Sequence, residues 1–78
     1  MQLSEFVEII AKELVDDPEA VTVREVTRDG VTVFELSAEK SDLGKLIGKK
    51  GHTAKAMRLI LSAVAAKRGS RAILEIVD

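Results

Sequence analysis

The chain has 78 residues, no cysteine, a single histidine and a formal net charge of −1. This length predicts one small domain over residues 1–78. Without cysteine, and with His52 as the lone histidine, the sequence excludes a disulfide framework and offers no zinc or histidine-based catalytic cluster. No apolar run is long enough to span a bilayer, and the N-terminus lacks a signal-peptide pattern. The expectation is a soluble, cytoplasmic protein with no membrane association.

Charge is distributed very unevenly along the chain. Residues 1–39 carry three basic and ten acidic side chains, a net −7, whereas residues 40–78 carry nine basic and three acidic side chains, a net +6. A basic half on a nearly neutral chain is typical of a localised site for a polyanion. Two faces that neutralise each other within the fold explain the charge equally well, so charge alone leaves both interpretations open.

Apolar residues at helical spacing predict a first helix near the N-terminus. Ser4 or a neighbour is expected to cap it, and Asp16-Asp17-Pro18 is expected to end it. The side chains predicted to face the core are Leu3, Phe6, Val7, Ile10 and Leu14.

Two strands are predicted next, at Val21–Thr27 and Val31–Ser37, joined by the hairpin signal Asp29-Gly30. The first alternates poorly between polar and apolar residues, which indicates an edge strand or a bulge. In the second, Phe34 and Leu36 share one face of the sheet.

The second half predicts a short helix at Leu43–Ile47 that Ser41 or Asp42 opens. It also predicts a longer helix at about 53–68 that ends at Gly69, and a strand at Ala72–Val77. The order is α-β-β-α-α-β. A two-helix crossover returns the last strand parallel to its predecessor. The sequence therefore predicts an α+β fold, with a mixed three-stranded sheet in the order 1-2-3 and the helices on one face.

The loop Gly48-Lys49-Lys50-Gly51 lies between the two later helices. Glycine permits positive φ and close approach of another backbone, and the first N–H groups of the following helix attract anions. These features indicate a clamp for successive phosphates. A tight helix–helix corner with solubilising lysines is the simpler alternative. The residues predicted to contact the ligand are Lys45, Ile47, Gly48, Lys49, Lys50, Gly51, His52, Lys55 and Arg58, with Val33, Leu36 and Leu46 as further candidates for an aliphatic groove. An ordinary core position is the favoured interpretation for Leu36, and for Ile47 core and groove remain equally open.

The segment 42–51 resembles the core of KH domains, and the element order is that of the bacterial type II arrangement. Over its whole length the chain is similar to the KhpA (YlqC) family of small bacterial single-KH proteins, including the run at residues 54–58. The resemblance implies single-stranded RNA binding and a role as an RNA chaperone or post-transcriptional regulator. It further implies a link to cell elongation and division, and pairing with itself or with a KhpB-like KH protein.

The sequence lacks the residues that nucleotide binding or catalysis would require. A nucleotide-binding P-loop requires G-x-x-x-x-G-K-[ST], and the spacing from Gly44 to Gly48 is one residue short. No acid, base and nucleophile are grouped as catalysis requires. The expectation is a protein that is not an enzyme and has no metal, cofactor or small-molecule substrate. A protein–protein module on a KH scaffold and a single-stranded DNA binder remain as alternatives.

The long helix carries two apolar stripes. One is predicted to pack on the sheet and comprises Met57, Ile60, Leu61 and Val64. The other, called here the second stripe, comprises Ala56, Leu59, Ala63 and Ala66. An exposed apolar strip usually marks an interface, so the second stripe predicts a dimer. Coverage by the first helix is the alternative.

Overall fold

The computed structural model, which describes residues 2–77, contains helices and strands in the order α-β-β-α-α-β. The elements are α1 (Leu3–Leu14), β1 (Thr22–Arg28), β2 (Val31–Ser37), α2 (Leu43–Ile47), α3 (His52–Lys67) and β3 (Ala72–Ile76). Short 3-10 turns lie at Pro18–Ala20, Lys40–Asp42 and Lys49–Gly51. The predicted α+β class and element order are confirmed.

The sheet has the predicted order β1-β2-β3. β1 pairs antiparallel with β2, and β2 pairs parallel with β3. The turn between β1 and β2 has φ values of 52° at Asp29 and 77° at Gly30. Positive φ at both central residues is the type I′ geometry that matches the twist of a hairpin. β1 is an edge strand with continuous register and no bulge.

The core lies between one face of the sheet and the helices. It includes Phe34 and Leu36 from β2, Leu46 from α2 and Leu61 from α3, all essentially inaccessible to solvent. Leu36 and Leu46 therefore cannot line an open groove. The core position favoured for Leu36 is confirmed, and the groove position expected for Leu46 is wrong. The assignment of Val33 to the groove is wrong for a different reason. It pairs with Val26 and Ile73 on the face away from the helices, because successive strand residues point to opposite sides.

α1 differs from its prediction at both ends. Gln2, rather than Ser4, occupies the N-cap position, and its backbone N–H donates to the Glu5 carboxylate at 3.2 Å. Leu14, predicted to face the core, is exposed, whereas Ala11 is fully buried. Leu14 is the last residue of α1, and the chain then turns to extended backbone at Val15, whose side chain enters the core instead.

α3 buries a different stripe from the predicted one. Its buried residues are Ala54, Met57, Leu61 and Ala65, while Ile60 is 46% exposed. At about 100° per residue, Ile60 lies roughly 100° from the centre of that buried face, so the assignment of Ile60 to the core is wrong. Ala54 and Ala65 are buried on that face instead. None of the helices in residues 2–77 is long and apolar enough to cross a membrane.

The end of α3 is set by Gly69, as predicted. Gly69 has φ +75°, its N–H donates to Ala66, and the N–H of Ser70 donates to Ala65. These two bonds form a Schellman motif, which satisfies the last carbonyls of the helix. The motif holds the turn from α3 into β3 in one conformation.

Candidate nucleic-acid interface

The loop between α2 and α3 adopts a backbone that few residues accept. Gly48 has φ 79° and ψ 168°, and Gly51 has φ 75° and ψ 11°. Gly48 lies in a region that is essentially restricted to glycine, while Gly51 lies in the left-handed helical region. The N–H of Gly51 donates to the Gly48 carbonyl at 3.0 Å, which closes the loop on itself.

A second constraint acts on Gly48 alone. A Cβ atom there would lie 2.8 Å from the backbone nitrogen of Thr53 and closer still to the Thr53 side chain. At Gly51 a Cβ atom would meet open space. The loop therefore needs the first glycine for both conformation and space, and the second for conformation only.

Both lysines of the loop are exposed. Lys50 itself has φ 57°, an uncommon value for a residue with a side chain. α3 begins at His52, so the unpaired N–H groups of its first turn and the positive end of its dipole adjoin the loop. Lysine charge and backbone donors thus meet at one point, which suits an anionic ligand such as a phosphate.

The remaining predicted contacts lie on both sides of the loop. Ile47 ends α2 and is 45% exposed, while His52 and Lys55 are exposed on the first turns of α3. Arg58 lies one turn further, and its Nε donates to the carbonyl of Leu74 in β3 at 3.2 Å. This contact places Arg58 across the outer edge of β3, the edge that has no strand partner.

Lys45 is held differently from the loop lysines. Its Nζ lies 3.2 Å from a carboxylate oxygen of Asp16 and 3.2 Å from one of Asp42. Hydrogen bonds to Asp16 and then to Asp42 raise the pKa of Lys45 above its ordinary value. With two carboxylates at contact distance, Lys45 adds less positive charge to the loop than the sequence suggests.

Asp42 is the residue that sequence reasoning missed. It is the one buried charged residue in the described part of the chain, and its carboxylate accepts the backbone N–H of Asp17 at 3.0 Å. Burial alone would raise the pKa of Asp42, but hydrogen bonds from the Asp17 and Asp16 backbone and from Lys45 outweigh burial and lower it. Asp42 thereby ties the start of α2 to the turn after α1. Its helix-capping position was visible in the sequence, whereas its partner 25 residues away was not.

The basic half of the chain is not neutralised by the acidic half. Of its nine cationic side chains, only Lys45 comes within ion-pair distance of a carboxylate among residues 2–77. The other ion pairs in that range involve Lys12, Arg24 and Arg28. Of the two explanations for the charge asymmetry, the structure favours a polyanion site over internal complementarity.

The second stripe of α3 is open to solvent. All four of its residues are exposed, and Leu59 is exposed by 73%. α1 does not cover it, so that alternative is wrong. Ile60 adds to the apolar surface beside it. Within residues 2–77 no group of acidic or histidine side chains is arranged to hold a metal ion.

Comparison with known proteins places the chain in a family. The family model described as "KhpA/KhpB, KH domain" matches residues 4–76. The chain is 45% identical to the RNA-binding protein KhpA of Aquifex aeolicus over 76 residues, covering 97% of this chain and 96% of that one. It is also 45% identical to the RNA-binding protein KhpA of Clostridium perfringens, covering 96% of this chain and all of that one.

A solved structure shares the fold. Aquifex aeolicus Era bound to GDP and AlF4− superposes with a TM-score of 0.61 at 22% identity, covering 95% of this chain. The chain spans only 29% of the Era chain, so the likeness concerns the fold of one part of Era. With the family model matched over nearly its whole length, this chain belongs to the KhpA/KhpB family of KH domains.

Proposed function

We propose that this protein binds single-stranded RNA by clamping its sugar–phosphate backbone on the loop Gly48–Gly51, and that it catalyses no reaction. The observation that carries the proposal is the loop itself. Two positive-φ glycines, two exposed lysines without a carboxylate partner in the described residues and the N-terminus of α3 converge there. KH domains clamp about four nucleotides through such a loop. The relatives named above are called RNA-binding proteins.

The aromatic residues support a backbone clamp rather than a stacking platform. The chain has no tryptophan or tyrosine, Phe34 is buried and Phe6 packs against the core. Proteins that hold single strands by stacking need exposed aromatic rings. Here the exposed Ile47 at the end of α2 and the stem of Arg58 beside the edge of β3 are the surfaces on which bases would lie.

The two alternatives make different demands on the loop. A protein–protein module would tolerate an acidic residue or a missing glycine, yet this loop keeps both glycines and two lysines. A phosphate clamp does not by itself distinguish RNA from DNA, because only contacts to the 2′-hydroxyl do so. Parallel titration with RNA and DNA of one sequence separates these alternatives.

The test of the clamp is the double substitution Lys49→Asp with Lys50→Asp. It should abolish RNA binding because phosphate attraction becomes repulsion, while the melting temperature changes little because both side chains are exposed. Lys12→Asp with Arg24→Asp is the matched control, since it changes the net charge equally on α1 and on the outer face of the sheet. Parental affinity in the loop variant, or equal loss in the control, would show that the loop is not the site.

The wider role proposed is that of an RNA chaperone or post-transcriptional regulator in the bacterial cytoplasm. Pairing through the second stripe, with another copy or with a KhpB-like KH protein, would place two loops in one particle. Two weak sites joined in this way gain affinity through effective concentration. A connection with cell elongation and division belongs to this proposal. Crosslinking in cells, followed by sequencing of the attached nucleic acid and identification of co-purifying KH proteins, tests it.

A further inference from the structure

The open edge of β3, the last strand of the sheet, faces α3. Arg58 bonds to Leu74 at this edge, and nearer the end of α3 Ser62 and Ala66 line one cavity together with Ala72 and Ile73. At about 1.5 Å per residue, the 16 residues of α3 span roughly 24 Å. This surface, the α3–β3 cleft, begins at the Gly48–Gly51 loop and ends at the turn around Gly69.

The far end of the α3–β3 cleft widens into a cavity of about 260 Å³. Polar lining comes from Ser62, Ser70 and Arg71, and apolar lining includes Ala66 and Ile73. The Ser70 hydroxyl donates to the carbonyl of Ala65 at 3.1 Å, which leaves Ser62 and Arg71 as the free donors. Arg71 also borders a second cavity of about 170 Å³ on the side of α1. The Schellman motif at Gly69 fixes the turn that carries Ser70 and Arg71, so the cavity is lined by ordered backbone.

Charge at this end is predominantly positive, although Glu25 lines the adjoining cavity together with Arg68 and Arg71. Lys67, Arg68 and Arg71 are exposed, and none lies within ion-pair distance of a carboxylate in residues 2–77. Lys67 and Arg68 adjoin the C-terminus of α3, where cations offset the negative end of the helix dipole. Arg71 lies beyond that turn, so the helix dipole does not account for it. Its guanidinium can donate several hydrogen bonds to one phosphate.

We infer that Arg71, with the hydroxyl of Ser62, forms a second phosphate-binding site for the continuation of the RNA strand held by the loop. The inference rests on the proposed function and extends it. A strand that leaves the loop along the α3–β3 cleft passes Arg58 and reaches Arg71 at the other end of α3. The ligand is thus a single strand longer than the roughly four nucleotides of one clamp.

The experiment compares strand lengths. Affinity of the full chain is measured for uridine oligonucleotides of about four and about ten nucleotides. Arg71→Ala should bind the long strand about three- to tenfold more weakly than the parent, the size of one partly solvated charge-assisted contact, and bind the short strand equally well. Ser62→Glu, which puts a negative charge into the cavity, should give the same length-dependent loss. Arg71→Lys should retain part of the extra affinity that the parent shows for the long strand. Arg24→Ala, on the outer face of the sheet, is the control.

Each remaining outcome counts against the second site. A loss in Arg71→Ala no larger than in Arg24→Ala would overturn it, as would an equal loss for both strand lengths. Sedimentation should show one long strand per chain. One strand shared by two chains would be the signature of the paired loops of the proposed dimer, and together with unchanged long-strand affinity of Arg71→Ala it would overturn the second site. If the parent binds neither strand, the proposed function itself is wrong. If the parent binds both strands through the loop and Arg71→Ala changes neither affinity, only the second site is wrong.

Discussion

The buried carboxylate of Asp42 lies 3.2 Å from the ammonium group of Lys45, and its other oxygen accepts the backbone N–H of Asp17. One side chain thus joins the first turn of α2 to the connection between α1 and β1. The pKa of Asp42 is lowered in the fold by these bonds, which means that folding favours its ionised form.

A pH dependence of stability follows from Asp42. Its contribution is complete above the ordinary pKa of 3.8 and is lost as the pH falls through the lower pKa of the folded state. Asp42→Asn should therefore melt at a lower temperature than the parent at neutral pH, and the gap should close below about pH 3.8. Thermal melts followed by circular dichroism across this range measure it. Asp16→Asn removes only an exposed contact to Lys45 and should lower the melting temperature less. A gap that persists undiminished in acid would show that the ionised carboxylate is not what stabilises this corner.

The two glycines of the loop should respond differently to substitution. Gly51→Ala incurs only the cost of left-handed backbone, about 1–2 kcal/mol. Gly48→Ala adds a collision with the backbone of Thr53, so it should destabilise the chain more and weaken RNA binding more. Gly51→Asn should be the mildest change, because asparagine accepts left-handed backbone. Chemical denaturation and an RNA titration of all three variants test the order. Equal effects of the two alanine substitutions would contradict it.

The salt dependence of RNA binding should show how many phosphates a single clamp neutralises. If about four nucleotides of backbone are covered and two or three phosphates are neutralised, the slope of log K against log salt is roughly −1.5 to −2 at about −0.7 per phosphate. Titration of a short oligonucleotide at several salt concentrations measures it. A slope near zero would rule out phosphate attraction as the source of affinity. For longer strands that reach Arg71, each further phosphate should steepen the slope by about 0.7.

Leu59→Lys tests pairing through the second stripe. A lysine in the middle of an apolar interface should convert a dimer to a monomer in sedimentation experiments. Because Leu59 is 73% exposed in the isolated chain, folding of the monomer should be unaffected. Leu61→Ala is the contrasting variant, since it empties a core position and should cost about 2–5 kcal/mol. A parent chain that stays monomeric at high micromolar concentration and captures no KH partner would contradict the dimer. So would unfolding of Leu59→Lys.

Local signals in the sequence determined much of this fold. The Asp29-Gly30 turn, the glycine stop at Gly69 and the alternation in β2 each act within a few residues, so the bounds of β2 and α2 follow from the chain itself. The loop Gly48–Gly51 was predictable for the same reason, because glycine spacing encodes backbone freedom directly.

Tertiary packing decided the rest. Helical periodicity grouped Ile60 with Met57 and Leu61, but the rotation of α3 in the fold buries Ala54 and Ala65 instead of Ile60, and only the folded partner surface fixes that angle. The same holds for Asp42 and Lys45. Their sequence neighbours predict a helix start and a free cation, whereas the turn that binds them comes from residues 25 or more positions earlier. Pairing across such a separation depends on the path of the chain in space, which no local pattern records.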